Sequence, residues 1–120
     1  MKLIKRIDTV FVPVTDLKKS EQWYMNIFPF EVVYRSGDGN YIGFRFDDPK
    51  EMKTALTIYK VDEIRPTNHM AFNFYTEDVD ALHNKLKKSG VEVSEIHASD
   101  GMRFFDFEDP NGNQLGAVTF

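Results

Sequence analysis

Between Ile7 and Val14 the chain runs Ile-Asp-Thr-Val-Phe-Val-Pro-Val, a β-branched alternation that predicts a strand with Pro13 at a sheet edge or at the strand end. Thr15-Asp16 then caps a helix, in which Leu17, Ser20, Tyr24, Ile27 and Phe28 recur at three- and four-residue spacing with Trp23 beside the stripe. Pro29 stops it, because proline has no amide to donate and disfavours the α conformation in the residue before it. Phe30–Arg35 and Tyr41–Phe46 read as strands joined by the turn Ser36-Gly37-Asp38-Gly39-Asn40. Thr54–Val61 reads as another strand, after a polar loop beginning at Asp47-Asp48-Pro49.

The same order then recurs. His69–Tyr75 is a predicted strand, and Asp78 caps a helix that carries Val79, Leu82 and Leu86 on one face and ends at Gly90. Val91–Ile96, Met102–Phe107 and Gln114–Phe120 are further predicted strands, with Asp109-Pro110-Asn111-Gly112 as a turn. Each copy passes from a strand to an acidic helix start (Asp16, Asp78), and a short apolar-acidic strand follows the helix (Phe30-Glu31-Val32, Val91-Glu92-Val93). This is a repeat of a whole β-α-β-β-β unit. The expectation is a single α+β domain spanning 1–120, with a first module over 1–61, a second over 68–120 and a connector over 62–67 that contains Arg65-Pro66.

The period of two assigns faces. In the first strand Val10, Val12 and Val14 should meet the helix, leaving Thr9 and Phe11 on the open side. In the His69–Tyr75 strand, Met70, Phe72 and Phe74 form the uniformly apolar face, so His69 and Asn73 should lie opposite it. In the Met102–Phe107 strand the pattern does not choose, because Phe104, Asp106 and Glu108 on one side and Arg103, Phe105 and Phe107 on the other both mix aromatic rings with charge.

A chain of 120 residues can bury a core without staples, and its lack of cysteine excludes disulfides, zinc-thiolate sites and thiol nucleophiles. No apolar run is long enough for a membrane span or a signal peptide, so a soluble, cytoplasmic protein is expected. A formal charge of −4, with fifteen Lys and Arg scattered among nineteen acids, argues against a nucleic-acid partner. Aromatic residues make up 14% of the chain, enough to fill a core and still line a pocket.

Candidate chemistry is sparse. Gly37 and Gly39 lie between strands with no helix following, which is the wrong context for a phosphate loop, and Asn111-Gly112 is a turn signal. Lys85, Lys87 and Lys88 suit the solvated end of a helix. His83 and His97 read as surface or boundary histidines. His69 is the exception, since it opens a strand on the side away from the helix.

Three stretches stand out: Val14-Thr15-Asp16-Leu17 running on to Trp23-Tyr24, then His69-Met70-Ala71-Phe72 with Glu77-Asp78-Val79-Asp80-Ala81-Leu82, and Phe105-Asp106-Phe107-Glu108-Asp109-Pro110-Asn111-Gly112-Asn113-Gln114-Leu115. Together they resemble the vicinal oxygen chelate superfamily, the group of glyoxalases and of bleomycin- and fosfomycin-resistance proteins. The resemblance covers essentially the whole chain. It implies two βαβββ modules curled into a half-barrel of mixed sheet, with a helix on each module's outer face.

The resemblance also implies where a divalent metal would be held in the family's enzymes. The first-strand ligand position, seven residues before the acid of the Asp-Leu motif, is Thr9 here instead of His or Gln. Its counterpart in the second module is His69, which matches. The acid that follows the leucine of the closing strand is replaced by Gly116, and none of Leu56, Thr57, Ile58 and Tyr59 supplies the fourth-strand acid of glyoxalase-like members. Asp8 points to the wrong face, whereas Asp106 is placed on the cavity side.

With two ligand positions lost, the expected function is binding and sequestering of a small molecule without a catalytic metal or other cofactor, as in bleomycin-resistance members. Thr9, Phe11, His69, Asn73, Phe104 and Asp106, with Trp23 or Tyr41 as further candidates, would line a cleft for an aromatic or cationic ligand. The alternative is a glyoxalase-type lyase or isomerase, or a fosfomycin-type transferase. It would depend on Zn, Mn or Ni held by His69, or work without metal through His69 with Asp106 or Glu108 as catalytic groups. A homodimer is expected, with module exchange left open.

Overall fold

The computed structural model describes residues 3–46, 53–65 and 67–120; the loop begun at Asp47 and Pro66 of the connector lie outside them. The chain divides into two compact units, Met1–Ile64 and Arg65–Phe120. The first contains β1 (Thr9–Val14), α1 (Leu17–Ile27), β2 (Phe30–Arg35), β3 (Tyr41–Phe46) and β4 (Ala55–Lys60). The second contains β5 (Asn73–Tyr75), α2 (Val79–Lys88), β6 (His97–Ser99), β7 (Met102–Glu108) and β8 (Gln114–Thr119). Each unit is a four-stranded sheet with the same topology, β1-β4-β3-β2 and β5-β8-β7-β6, in which the strand before the helix pairs in parallel with the last strand.

Both helices start as expected. The Asp16 carboxylate accepts the Lys19 amide at 3.1 Å and that of Asp78 accepts the Ala81 amide at 3.0 Å, satisfying amides that the first turn leaves without intrahelical partners. The first helix leaves through an extended Phe28 before Pro29, and the second ends at Ser89 with Gly90 in the left-handed region at φ 82°.

In the first unit the helix face of the sheet carries Val12, Val14, Ile58, Leu56, Ile42, Phe44 and Phe30, all buried, against Tyr24 and Ile27 of α1. Tyr24 stacks on Phe44 at 6.1 Å and Phe44 on Phe30 at 5.4 Å. Truncating the fully buried Phe44 to alanine would cost about 3–5 kcal/mol. Trp23 is an edge neighbour of Tyr24 and Phe28, and so belongs to the helix and not to the open face.

In β2 the register shifts between Val32 and Tyr34, leaving Val33 as a bulge. Tyr34 then pairs with Gly43 on the helix-free side, and Arg35 pairs with Ile42 and reaches Glu21 of α1 with two hydrogen bonds, at 2.5 and 3.1 Å. One inserted residue therefore re-aims both side chains.

The second unit departs from expectation at two strands. The segment Val91–Ile96 makes only a single bridge, Val93 with Phe107, and the regular strand follows it at His97–Ser99. The cause is local. Nε2–H of His83 on α2 donates to the Ser94 carbonyl at 2.8 Å, so that the Asp106 amide donates instead to the Ser94 hydroxyl at 2.9 Å, and the pairing resumes one residue out of step. The strand expected from His69 begins at Asn73, although backbone bonds from Ala71 to Gln114 and from Gly116 to Phe72 extend the pairing slightly earlier.

Candidate functional site

Sheet register settles which side chains share the helix-free faces. In the second unit Asn73, Gly116 and Asp106 lie side by side across β5, β8 and β7, and Tyr75, Val118, Phe104 and His97 form the next row across all four strands. Arg103, Phe105 and Phe107 face the other way. Phe105 and Phe107 are buried, and Arg103 donates to Asp80 of α2 at 2.7 and 3.0 Å. The undecided strand is thus resolved, with Phe104, Asp106 and Glu108 open.

Asp106 and Glu108 border an opening of about 200 Å³ lined also by Glu92, Ser94 and Gln114 among others. The Gln114 amide donates to the Glu108 carboxylate at 2.6 Å. His69 stands apart from the rows, in the bend before β5, exposed, with Nδ1–H donating to the Met70 carbonyl at 2.7 Å. The histidine that does join the face is His97, whose ring lies 5.6 Å from that of Phe104. Sequence parity missed it because the register shift after Ser94 is invisible in the pattern.

In the first unit the helix-free face carries Thr9 and Phe11 from β1, Thr57 and Tyr59 from β4, Tyr41 and Gly43 from β3, and Tyr34 from β2. The Thr9 and Thr57 hydroxyls share a hydrogen bond of 2.7 Å. Phe11 meets Tyr59 edge-on at 6.2 Å, and Tyr59 lies near-parallel to Tyr41 at 6.2 Å. Parity along Thr54–Val61 was the signal for Thr57 and Tyr59, whereas the bulge concealed Tyr34.

Two of the residues at the family's metal positions, Thr9 and Gly116, do not fit a metal. Thr9 is a neutral hydroxyl already bonded to Thr57, and Gly116 has no donor. The space above Gly116 is filled: a β-carbon there would lie 2.0 Å from Asn73 Oδ1 and 2.8 Å from the Met70 sulfur. Among the described residues no three His, Asp or Glu side chains are grouped to hold an ion.

The Glyoxalase/Bleomycin resistance protein/Dioxygenase superfamily model matches residues 6–116. The chain belongs to that superfamily. Within the glyoxalase superfamily it is 29% identical over 114 residues to the uncharacterized protein YetH of Bacillus subtilis (strain 168), covering 92% of this chain and 95% of that one. It is also 29% identical over 96 residues to the fosfomycin resistance protein FosX of Listeria monocytogenes, covering 76% of this chain and 70% of that one. The fold matches that of TnmS3, an antibiotic binding protein from Streptomyces sp. CB03234, at TM-score 0.82, with 23% identity over 99% of this chain and 98% of that one. Glyoxalase-superfamily architecture therefore accounts for both βαβββ units. Among the described residues no helix is long and apolar enough to cross a membrane.

Proposed function

We propose that the protein binds a small molecule on its helix-free sheet faces and releases it unchanged, without a catalytic metal. The observation that carries this reading is the Asn73 carboxamide and the Met70 sulfur filling the place above Gly116, where the resemblance expects a carboxylate ligand. A binding member needs neither that carboxylate nor a first-strand histidine. It needs apolar and hydrogen-bonding surface, which Phe11, Tyr41, Thr9, Asn73, Phe104 and Asp106 supply. The antibiotic binding protein TnmS3 has the same fold.

The reading includes a cytoplasmic homodimer. The exposure of Leu3, Ile4 and Ile7, at 82%, 86% and 68%, supports a partner surface, and the absence of cysteine suits a reducing compartment. Under the alternative, His69 would act with metal, or with Asp106 or Glu108 as proton carrier. The engagement of His69 Nδ1 by its neighbour's carbonyl leaves Nε2 as its only reactive nitrogen.

The test is metal analysis of untagged protein by mass spectrometry, then calorimetric titration with Zn²⁺, Mn²⁺ and Ni²⁺ on wild type and His69→Ala. It is joined by a thermal-shift screen of small antibiotics, with recovery and mass measurement of any that bind. Little metal, no saturable heat and a ligand recovered at its original mass are expected. Stoichiometric metal lost in His69→Ala, or a ligand recovered with altered mass, would replace binding with catalysis.

A further inference from the structure

The first unit's open face carries an aromatic residue from each of its four strands: Phe11 on β1, Tyr59 on β4, Tyr41 on β3 and Tyr34 on β2. Their placement is not a by-product of core packing. Phe11, Tyr34 and Tyr41 are 58%, 56% and 40% exposed, while the core of the same unit is filled from the opposite face by Tyr24, Phe28, Phe30 and Phe44. Tyr34 reaches this side only through the bulge at Val33. Gly43 keeps the centre of the face low: a β-carbon there would come 3.2 Å from the Tyr34 β-carbon and 3.6 Å from Thr57 Oγ1. At one end, Tyr41 also borders an open cleft of about 420 Å³ with Leu17 and Ile42 in its wall.

The polar groups on this face are mostly hydroxyls. Among the described residues no hydrogen bond engages the phenols of Tyr34, Tyr41 and Tyr59, and beside them lies the Thr9–Thr57 hydroxyl pair. The neighbouring charges are the Arg45 guanidinium, held by the Lys53 carbonyl at 2.7 Å and the Asp8 carboxylate at 3.3 Å, and the exposed Glu31 paired across from it in β2. A surface of ring faces and edges, phenol donors and an arginine matches a flat ring system that carries oxygen acceptors. The charges at its edge offset one another, Arg45 against Asp8 and the exposed Glu31, which suits a neutral ring system better than a charged one.

We infer that Phe11, Tyr59, Tyr41 and Tyr34 form a stacking platform for a neutral, planar, oxygenated aromatic molecule of the phenol or ketone class. This rests on the small-molecule-binding reading and names the ligand chemistry of the first unit. Tyr59, between Phe11 and Tyr41, is the central ring, and the phenols select for acceptor oxygens.

The experiment is fluorescence titration of the full chain with 3-hydroxyflavone, in wild type, Tyr59→Leu, Tyr41→Leu and Tyr41→Phe, with circular dichroism to establish that each is folded. Saturable binding is expected in wild type. Loss of a stacking ring should weaken it about fivefold and loss of one phenol about threefold. Benzyltrimethylammonium should not compete. Tyr41→Leu replaces an exposed side chain, so it keeps the test open should Tyr59→Leu not fold. No saturable binding, equal affinity in the leucine variants, or displacement by the quaternary ammonium would overturn the platform. A metal-free protein that ignores the flavone loses the platform and keeps the binding reading. Stoichiometric metal with flavone binding intact does the reverse.

Discussion

The Asn73 carboxamide lies over Gly116, so that a β-carbon on the glycine would stand 2.0 Å from Oδ1. The neighbours above this glycine are ends of side chains and not backbone, so substitution displaces them instead of breaking the sheet. Gly116→Ala should cost about 1 kcal/mol, the low end for overpacking. Most of that should return in the Asn73→Ala background, a coupling that urea denaturation of the four-member cycle measures. Additive costs would mean that the carboxamide does not occupy the space.

His83 should prove structural. Its Nε2–H bond to the Ser94 carbonyl and its edge contact with Phe105 at 5.0 Å hold the segment beside β7. His83→Ala should destabilise by about 1–3 kcal/mol and should speed hydrogen exchange at the Ser94 and Asp106 amides. Exchange unchanged at those two amides would separate the histidine from the register shift.

Asp109 should behave as a turn anchor and not as an acid catalyst. It is 5% exposed, and its carboxylate accepts the Asn111 amide, the Asn113 amide and the Asn113 side chain, each at 2.9 Å. Asp109→Ala should cost about 2–3 kcal/mol in chemical denaturation. A variant as stable as wild type would contradict this assignment.

Acid stability should depend on two exposed carboxylates. Hydrogen bonding from Arg103 holds Asp80 below the ordinary carboxylate range, and the Ser36 hydroxyl, followed by the Asn40 amide, does so for Asp38. A lowered folded value means stabilisation that is fully present above the unfolded value, near pH 4, and lost as the pH falls through the folded one. Melting curves of Asp80→Asn should therefore lie below wild type at neutral pH and converge with it toward pH 2. Parallel curves would remove Asp80 from the acid limb.

Much of the architecture was legible in the residues, because the repeat of strand, capped helix and three strands rests on local signals: Asp16 and Asp78 as caps, Pro29 and Gly90 as stops, and period-two faces such as Val10-Val12-Val14. The misses share a physical origin. The reading of Val91–Ile96 as a regular strand could not foresee a histidine from another element taking the Ser94 carbonyl, nor could parity see past it to His97. Tyr34 was hidden by a bulge, and His69 was assigned to a strand that begins at Asn73. Thr9, Phe11 and Asn73 were placed correctly by face, since alternation decides face, whereas for Phe104, Asp106 and Glu108 alternation did not choose and only the resemblance put Asp106 on the cavity side. What they bind is not written in alternation.

The bulge at Val33 makes the register of β2 a chemical variable. Were Val33 paired regularly with Gly43, Tyr34 would fall opposite Ile42 on the α1 side and Arg35 would turn away from Glu21, exchanging a ring for a guanidinium on the open surface while every side chain stayed in the chain. A relative could thus change its ligand preference by straightening one bulge, with no substitution at any contacting position.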